Sequence, residues 1–263
     1  MKINSSNSPL IFFAAVLVII AGFHNVLAQG AGDNAPGSLF YQAGISYRQG
    51  EYDSAVRDYE KIIDSGLESG NVYYNLGNSY FKKGELGFAV LNYERAGCFI
   101  PNDSDLKSNY ELTLHTLNLE PRLFVNRPQK SAYRLFEAMT VDSLAVFMSG
   151  IYTVLILLFT LNLFLGGLKR FFRTTVFILV ALFILSAFAL NGRINYLDKS
   201  AVVIDKEADV KFEPLENATT YFKLAEGSRV EVIEKAGNWY KLKRFDGKAG
   251  WVNKGALALI AGN

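Results

Sequence analysis

The chain is nearly without the residues that build covalent or metal chemistry, with one cysteine and two histidines in 263 residues. A lone Cys98 excludes an intrachain disulfide framework. It also argues against a Cys/His hydrolase, which needs a thiolate beside a histidine. Cys98 falls late in a helical pattern where a small apolar residue packs, His24 lies in the N-terminal apolar region, and His115 lies on a later helix. No Cys/His/carboxylate cluster has metal-ligand spacing, and the glycine-rich tracts lack the Gly-Lys-Ser/Thr ending of a phosphate loop. The expectation is a chain with no catalytic residue, no cofactor and no metal, and so not an enzyme. A surplus of one charge is also missing: 27 Lys and Arg against 25 Asp and Glu leave +2. With no basic cluster interleaved with aromatics, a nucleic-acid partner is not expected.

Charge is absent altogether from two stretches, Ser143 to Leu168 and Thr174 to Gly192, split by the basic segment Lys169-Arg170-Phe171-Phe172-Arg173. Each reaches the roughly 20 apolar residues that cross a bilayer as a helix. The pattern predicts a two-helix transmembrane hairpin over 143–192, so the regions before and after it share one compartment. The basic segment places the turn inside and both flanks outside. Lys2, the apolar run Leu10 to Phe23 and Val26-Leu27-Ala28 before Gln29 read as a secretory signal peptide over 1–28. An uncleaved anchor is the alternative, and it gives the same placement.

Between Pro36 and Pro101 the sequence repeats itself. Gly50, Ala55 and Tyr59 return as Gly84, Ala89 and Tyr93 at an offset of 34 residues. That is the period of the tetratricopeptide repeat, a helix-turn-helix unit. Gly77 and Ala89 are small where two helices should cross closely, Gly50 and Gly84 end first helices, and Pro101 stops a second one. Asn102-Asp103-Ser104 offers caps for a further helix, about Asp105 to Leu117, which closes a domain over 36–118. Residues 119–142 read as a linker. The concave face of such an array should carry Phe40, Tyr47, Arg48, Tyr74, Asn78, Phe81 and Lys82. Of these, Tyr47, Arg48, Tyr74, Asn78, Phe81 and Lys82 are the candidate protein-binding residues. Packing of the short array is the competing explanation for Phe40 and Tyr47, and ordinary solvated helix charge for Arg48 and Lys82.

From Ala201 the texture changes to short alternating strands, Arg229 to Glu234 and Asn238 to Lys243, with the hairpin signal Asp246-Gly247 and a closing Gly250-Trp251-Val252. Residues 201–263 resemble the bacterial SH3 family through Glu226-Gly227, Gly237-Asn238-Trp239-Tyr240 and Asp246-Gly247-Lys248-Ala249-Gly250-Trp251-Val252. The family's early Val-Arg-x-x-Pro segment appears here as Val210-Lys211-Phe212-Glu213-Pro214, with Lys for Arg. Trp239 and Trp251 either form a ligand groove or pack in the core, and core packing is the expectation.

The fold class expected is thus multidomain: all-α tetratricopeptide repeats, a transmembrane hairpin and a small all-β SH3-like barrel. In that order, with Val72-Tyr73-Tyr74-Asn75-Leu76-Gly77-Asn78 and Leu91-Asn92-Tyr93-Glu94-Arg95-Ala96, the chain resembles the BatE family of the aerotolerance operon. The resemblance implies a non-enzymatic scaffold in the bacterial inner membrane with both soluble parts on the periplasmic face. It implies as partners von Willebrand A-domain membrane proteins and a MoxR-type AAA ATPase. The alternative is a cell-wall tether, with the SH3-like domain binding peptidoglycan.

Overall fold

The computed structural model describes residues 36–119, 140–164, 169–244 and 246–261. The signal-peptide segment and most of the linker expected at 119–142 lie outside the described residues. Helices α1 (Pro36–Arg48), α2 (Tyr52–Asp64), α3 (Gly70–Lys83) and α4 (Leu86–Phe99) form two antiparallel pairs, followed by α5 (Ser104–Thr116). Helix starts recur at the sequence offset: 70 − 36 and 86 − 52 are both 34. Gly50 and Gly84 take φ of +83° and +80°, the left-handed conformation that reverses the chain after α1 and α3. Asp103 caps α5 by accepting from the Leu106 N–H at 2.8 Å, as its position before the helix suggests.

The core of this region is aromatic and small by turns. Ala43, Ala55, Ala89 and Ala96 are fully enclosed beside Tyr59, Tyr73, Tyr93 and Tyr110. At Gly77 a Cβ would stand 2.7 Å from Cδ1 of Tyr93, so the tyrosine of α4 fills the volume a side chain would need. Large and small residues interdigitate at native density only in that complementary order.

Two apolar helices follow, α6 (Val141–Phe164) and α7 (Lys169–Lys199), each long and apolar enough to cross a membrane. The basic segment expected as the turn is helical and opens α7. The connection between the helices therefore falls at 165–168, outside the described residues. Basic side chains satisfy a helix at its membrane boundary as well as they satisfy a turn, so the sequence pattern does not separate the two.

Helix α7 continues past Gly192 to Lys199 and passes directly into β1 (Ser200–Val203). With β2 (Glu207–Lys211), β3 (Thr220–Ala225), β4 (Arg229–Ala236), β5 (Trp239–Lys243), β6 (Ala249–Asn253) and β7 (Leu257–Leu259) it makes one antiparallel sheet. The strand order is β3-β2-β6-β5-β4-β1-β7. Val203, Val210, Val232, Tyr240, Leu242 and Val252 alternate inward to form its core. A register shift between Val232 and Glu234 bends β4 against β5.

The helical region and the sheet are not separate. Val202 and Ile260 of the sheet are buried in the same apolar cluster as the helical core, with Leu197 of α7 packed against it. Helix α4 runs along this seam. Gly87 donates its N–H to Glu226 at 2.8 Å, and Arg95 reaches the carbonyls of Leu259 and Ile260 at 3.0 and 3.2 Å.

Candidate functional site

One open groove lies between the first helices of the two helical units. It is lined by Phe40, Tyr41, Gly44, Tyr47 and Arg48 of α1, Tyr59 of α2, and Asn75 and Asn78 of α3. The structure therefore brings Phe40, Tyr47, Arg48 and Asn78 together as the repeat pattern suggests. Tyr74 sits just behind them, half-buried, with its hydroxyl accepting from Asn109 at 2.9 Å. Phe81 is partly buried against the helical core, and Lys82 is exposed away from the groove lining. The pairing of Arg48 with Lys82 across one period does not occur there.

Asn78 is oriented from below. Its Oδ1 accepts from the Tyr93 hydroxyl at 2.8 Å and from Asn109 Nδ2 at 2.9 Å. Donation from both sides fixes the amide with its carbonyl inward, so the NH2 end is presented to the groove. Burial raises the hydroxyl pKa of Tyr47 and Tyr59 above the ordinary tyrosine value. The groove thus offers an aromatic floor, amide donors and one guanidinium, a mixture suited to an extended peptide carrying a carboxylate. Tyr41, Asn75 and the supporting Asn109 were not singled out by sequence reasoning. Asn75 stands three residues before Asn78, on the same α3 face, which is the signal that would have found it.

A second surface lies on the sheet. Trp239 and Trp251 are half-exposed and stand outside the sheet's buried core, which corrects the expectation of core packing. Val252 and Leu242 fill the interior positions instead, because their side chains alternate inward. Lys211 joins the two indoles: it pairs with Trp251 across β2 and β6, and its Nζ lies 5.6 Å over the Trp239 ring. Lys241 covers Trp251 at 5.4 Å. Phe212 and Tyr221 extend this face, with ring centroids 4.4 Å apart.

Cys98 is the remaining group with chemistry, and burial pushes its thiol up to about 11. A thiol so raised stays protonated and is a poor nucleophile near neutral pH. Among the described residues no group of three or more His, Cys, Asp or Glu is placed to hold a metal ion.

No curated protein matches this chain. Residues 206–258 match the family model of the bacterial SH3 domain, which makes the C-terminal part of the chain a bacterial SH3-like domain.

Proposed function

We propose that the chain is a non-enzymatic, membrane-held adaptor that recruits a protein partner through its helical repeats and SH3-like barrel. The observation that carries this reading is the α1–α3 groove, where Tyr47, Arg48, Asn75 and Asn78 converge around an open channel. The 34-residue recurrence of helix starts supports a tetratricopeptide array, and such arrays hold partners on this face. The two long apolar helices support a membrane-held adaptor, which this reading puts in a bacterial inner membrane, and the basic start of α7 favours a periplasmic position for both flanking parts. By resemblance, the partners belong to a von Willebrand A-domain and MoxR-type ATPase system.

Alkaline phosphatase fusions test the placement. Fusions after Leu119 and Leu224 should be active and a fusion at Phe171 silent; the reverse pattern would remove the periplasmic reading. Affinity capture of crosslinked full-length protein from its native membrane tests recruitment, which fails if no protein is enriched over a hairpin-only control.

The second reading is a peptidoglycan tether. The half-exposed Trp239 and Trp251 with Lys211 and Lys241 above them favour it, since indole faces stack on sugars and ammonium groups meet carboxylates. Co-sedimentation of the detergent-solubilised full chain with purified peptidoglycan, lost on Trp239→Ala and Trp251→Ala, separates this reading from the first.

A further inference from the structure

The end of the SH3-like domain that carries the β4–β5 turn is cationic and aromatic. Lys235 and Lys254 both lie over the Tyr240 ring, at 5.5 and 5.8 Å, and Lys211 lies 5.6 Å over Trp239. Lys254 donates its backbone N–H to the Asn238 carbonyl at 2.8 Å, which fixes it beside the turn. Lys211 is held by the Glu216 carbonyl, and Lys241 pairs with Glu234 at 3.3 Å. Lys235 and Lys254 are exposed, and among the described residues neither has a carboxylate in ion-pair reach.

Helix α4 fixes where this end lies. A Cβ on Gly87 would stand 2.9 Å from the Val203 carbonyl oxygen, Glu94 meets Arg229 and through it Tyr196, and Cys98 is within electrostatic reach of Arg193. Gly87 to Cys98 is about 16 Å of straight helix, close to the roughly 20 Å of chain from Arg193 to Val203. Helix α7 and β1 therefore run nearly in line. The seven residues Arg193 to Lys199 carry α7 about 10 Å beyond its uncharged stretch, and β1 begins at Ser200 with no linker. Strand β4 comes back the other way, with Glu231 opposite Ser200 and Arg229 opposite Val202. Its next five residues, to Ala236, span about 16 Å, enough with the bend after Val232 to bring the turn down to the lipid headgroups.

We propose that Lys235, Lys254 and Trp239 form a docking site for anionic lipid headgroups, which seats the SH3-like domain on the bilayer that α7 leaves. Ammonium groups meet phosphates there, and an indole suits the boundary between headgroup and hydrocarbon. Trp251 and Lys241 stand one step up the sheet, farther from the lipid. The proposal rests on the membrane-held reading and goes beyond it, since a hairpin alone would leave the domain's orientation free.

Trp239 and Trp251 are the chain's two tryptophans, so fluorescence of the full-length protein in lipid nanodiscs tests it. Discs of phosphatidylcholine, or of equal parts phosphatidylcholine and phosphatidylglycerol, carry a headgroup nitroxide as quencher. In Trp251→Phe, the remaining Trp239 should be quenched more strongly than Trp251 is in Trp239→Phe, and more strongly with phosphatidylglycerol present. Lys235→Gln with Lys254→Gln should lower the docked-to-free ratio by about fivefold per lysine and abolish the phosphatidylglycerol dependence. Circular dichroism checks the folding of that variant, and added salt should have the same effect without any substitution. Equal quenching of the two indoles overturns the proposal, as does quenching of Trp239 indifferent to phosphatidylglycerol, salt and the lysines. An unquenched Trp239 that responds to soluble muropeptide overturns it in favour of the cell wall. A chain that does not stay with the discs removes the membrane-held reading itself, before any fluorescence is read.

Discussion

Glu94 and Arg229 lie 135 positions apart in sequence, on opposite sides of two apolar helices, yet form a two-pronged ion pair at 2.9 and 3.0 Å. The Glu94 side chain is 5% exposed and that of Arg229 is 25% exposed. Burial alone would lower the guanidinium pKa, and the neighbouring Glu94, Tyr196 and Tyr110 more than offset it, holding Arg229 above its ordinary value. The helical units and the SH3-like domain are thereby built against each other.

Removing one partner of this pair leaves the other charged and buried. Arg229→Ala should lower unfolding stability by about 3 kcal/mol, near the low end for broken buried pairs because part of Arg229 meets water. Denaturant unfolding of the detergent-solubilised chain, followed by helical circular dichroism, checks this. A loss under about 1 kcal/mol, the range of an exposed pair, would mean that Glu94 is solvated in the folded protein.

Gly77 faces the ring of Tyr93 with no room for a Cβ. Gly77→Leu should cost about 1–3 kcal/mol by overpacking, or more if the ring cannot turn aside. Because Tyr93 also holds Asn78, the same change should displace the groove amide. Melting of the variant at the wild-type temperature would remove the close α3–α4 crossing.

Alkali should unfold the helical repeats before the barrel. Burial raises the hydroxyl pKa of Tyr73 to about 12, and it raises those of Tyr80, Tyr93 and Tyr110 as well. An unfolded tyrosine ionises near 10, so the unfolded chain sheds these protons first. Their stabilisation is complete below pH 10 and drains away as pH climbs through 12. The melting temperature read by helical circular dichroism should be flat from neutral pH to about pH 9 and fall steeply above pH 10.

The groove residues should separate by position. Arg48→Ala should weaken partner capture from crosslinked membranes, whereas Lys82→Ala, whose side chain is outside the lining, should leave it near wild type. Both are exposed changes and should alter stability by no more than about 0.5 kcal/mol. Equal losses for the two would return Lys82 to the recognition surface.

Much of this organisation is written locally. The 34-residue offset, the uncharged stretches and the alternation around Val230 and Val232 each act within one or two elements, where helix period, hydropathy and strand pleat are direct consequences of residue order. The cap at Asp103 and the crossing at Gly77 follow for the same reason. Legibility weakens at the site. The groove residues of α1 share a face by period, but whether Lys82 reaches it depends on how α3 is rotated against its neighbours. For Trp239 and Trp251, size and aromaticity suit a core or a surface equally well, and the strand register placed them outside.

The sequence by itself determined the order of parts: two helical units and a closing helix, two apolar helices, and a small sheet of the bacterial SH3 kind. The tertiary structure decided how those parts meet. In the sequence Glu94 and Arg95 stand only within a helical segment and Arg229 at the start of an alternating strand, with nothing to link them. Only the folded chain, with α7 running straight into β1 along α4, brings them together. Ion pairing across such a separation has no period and no fixed spacing, so it leaves no trace until the elements are packed.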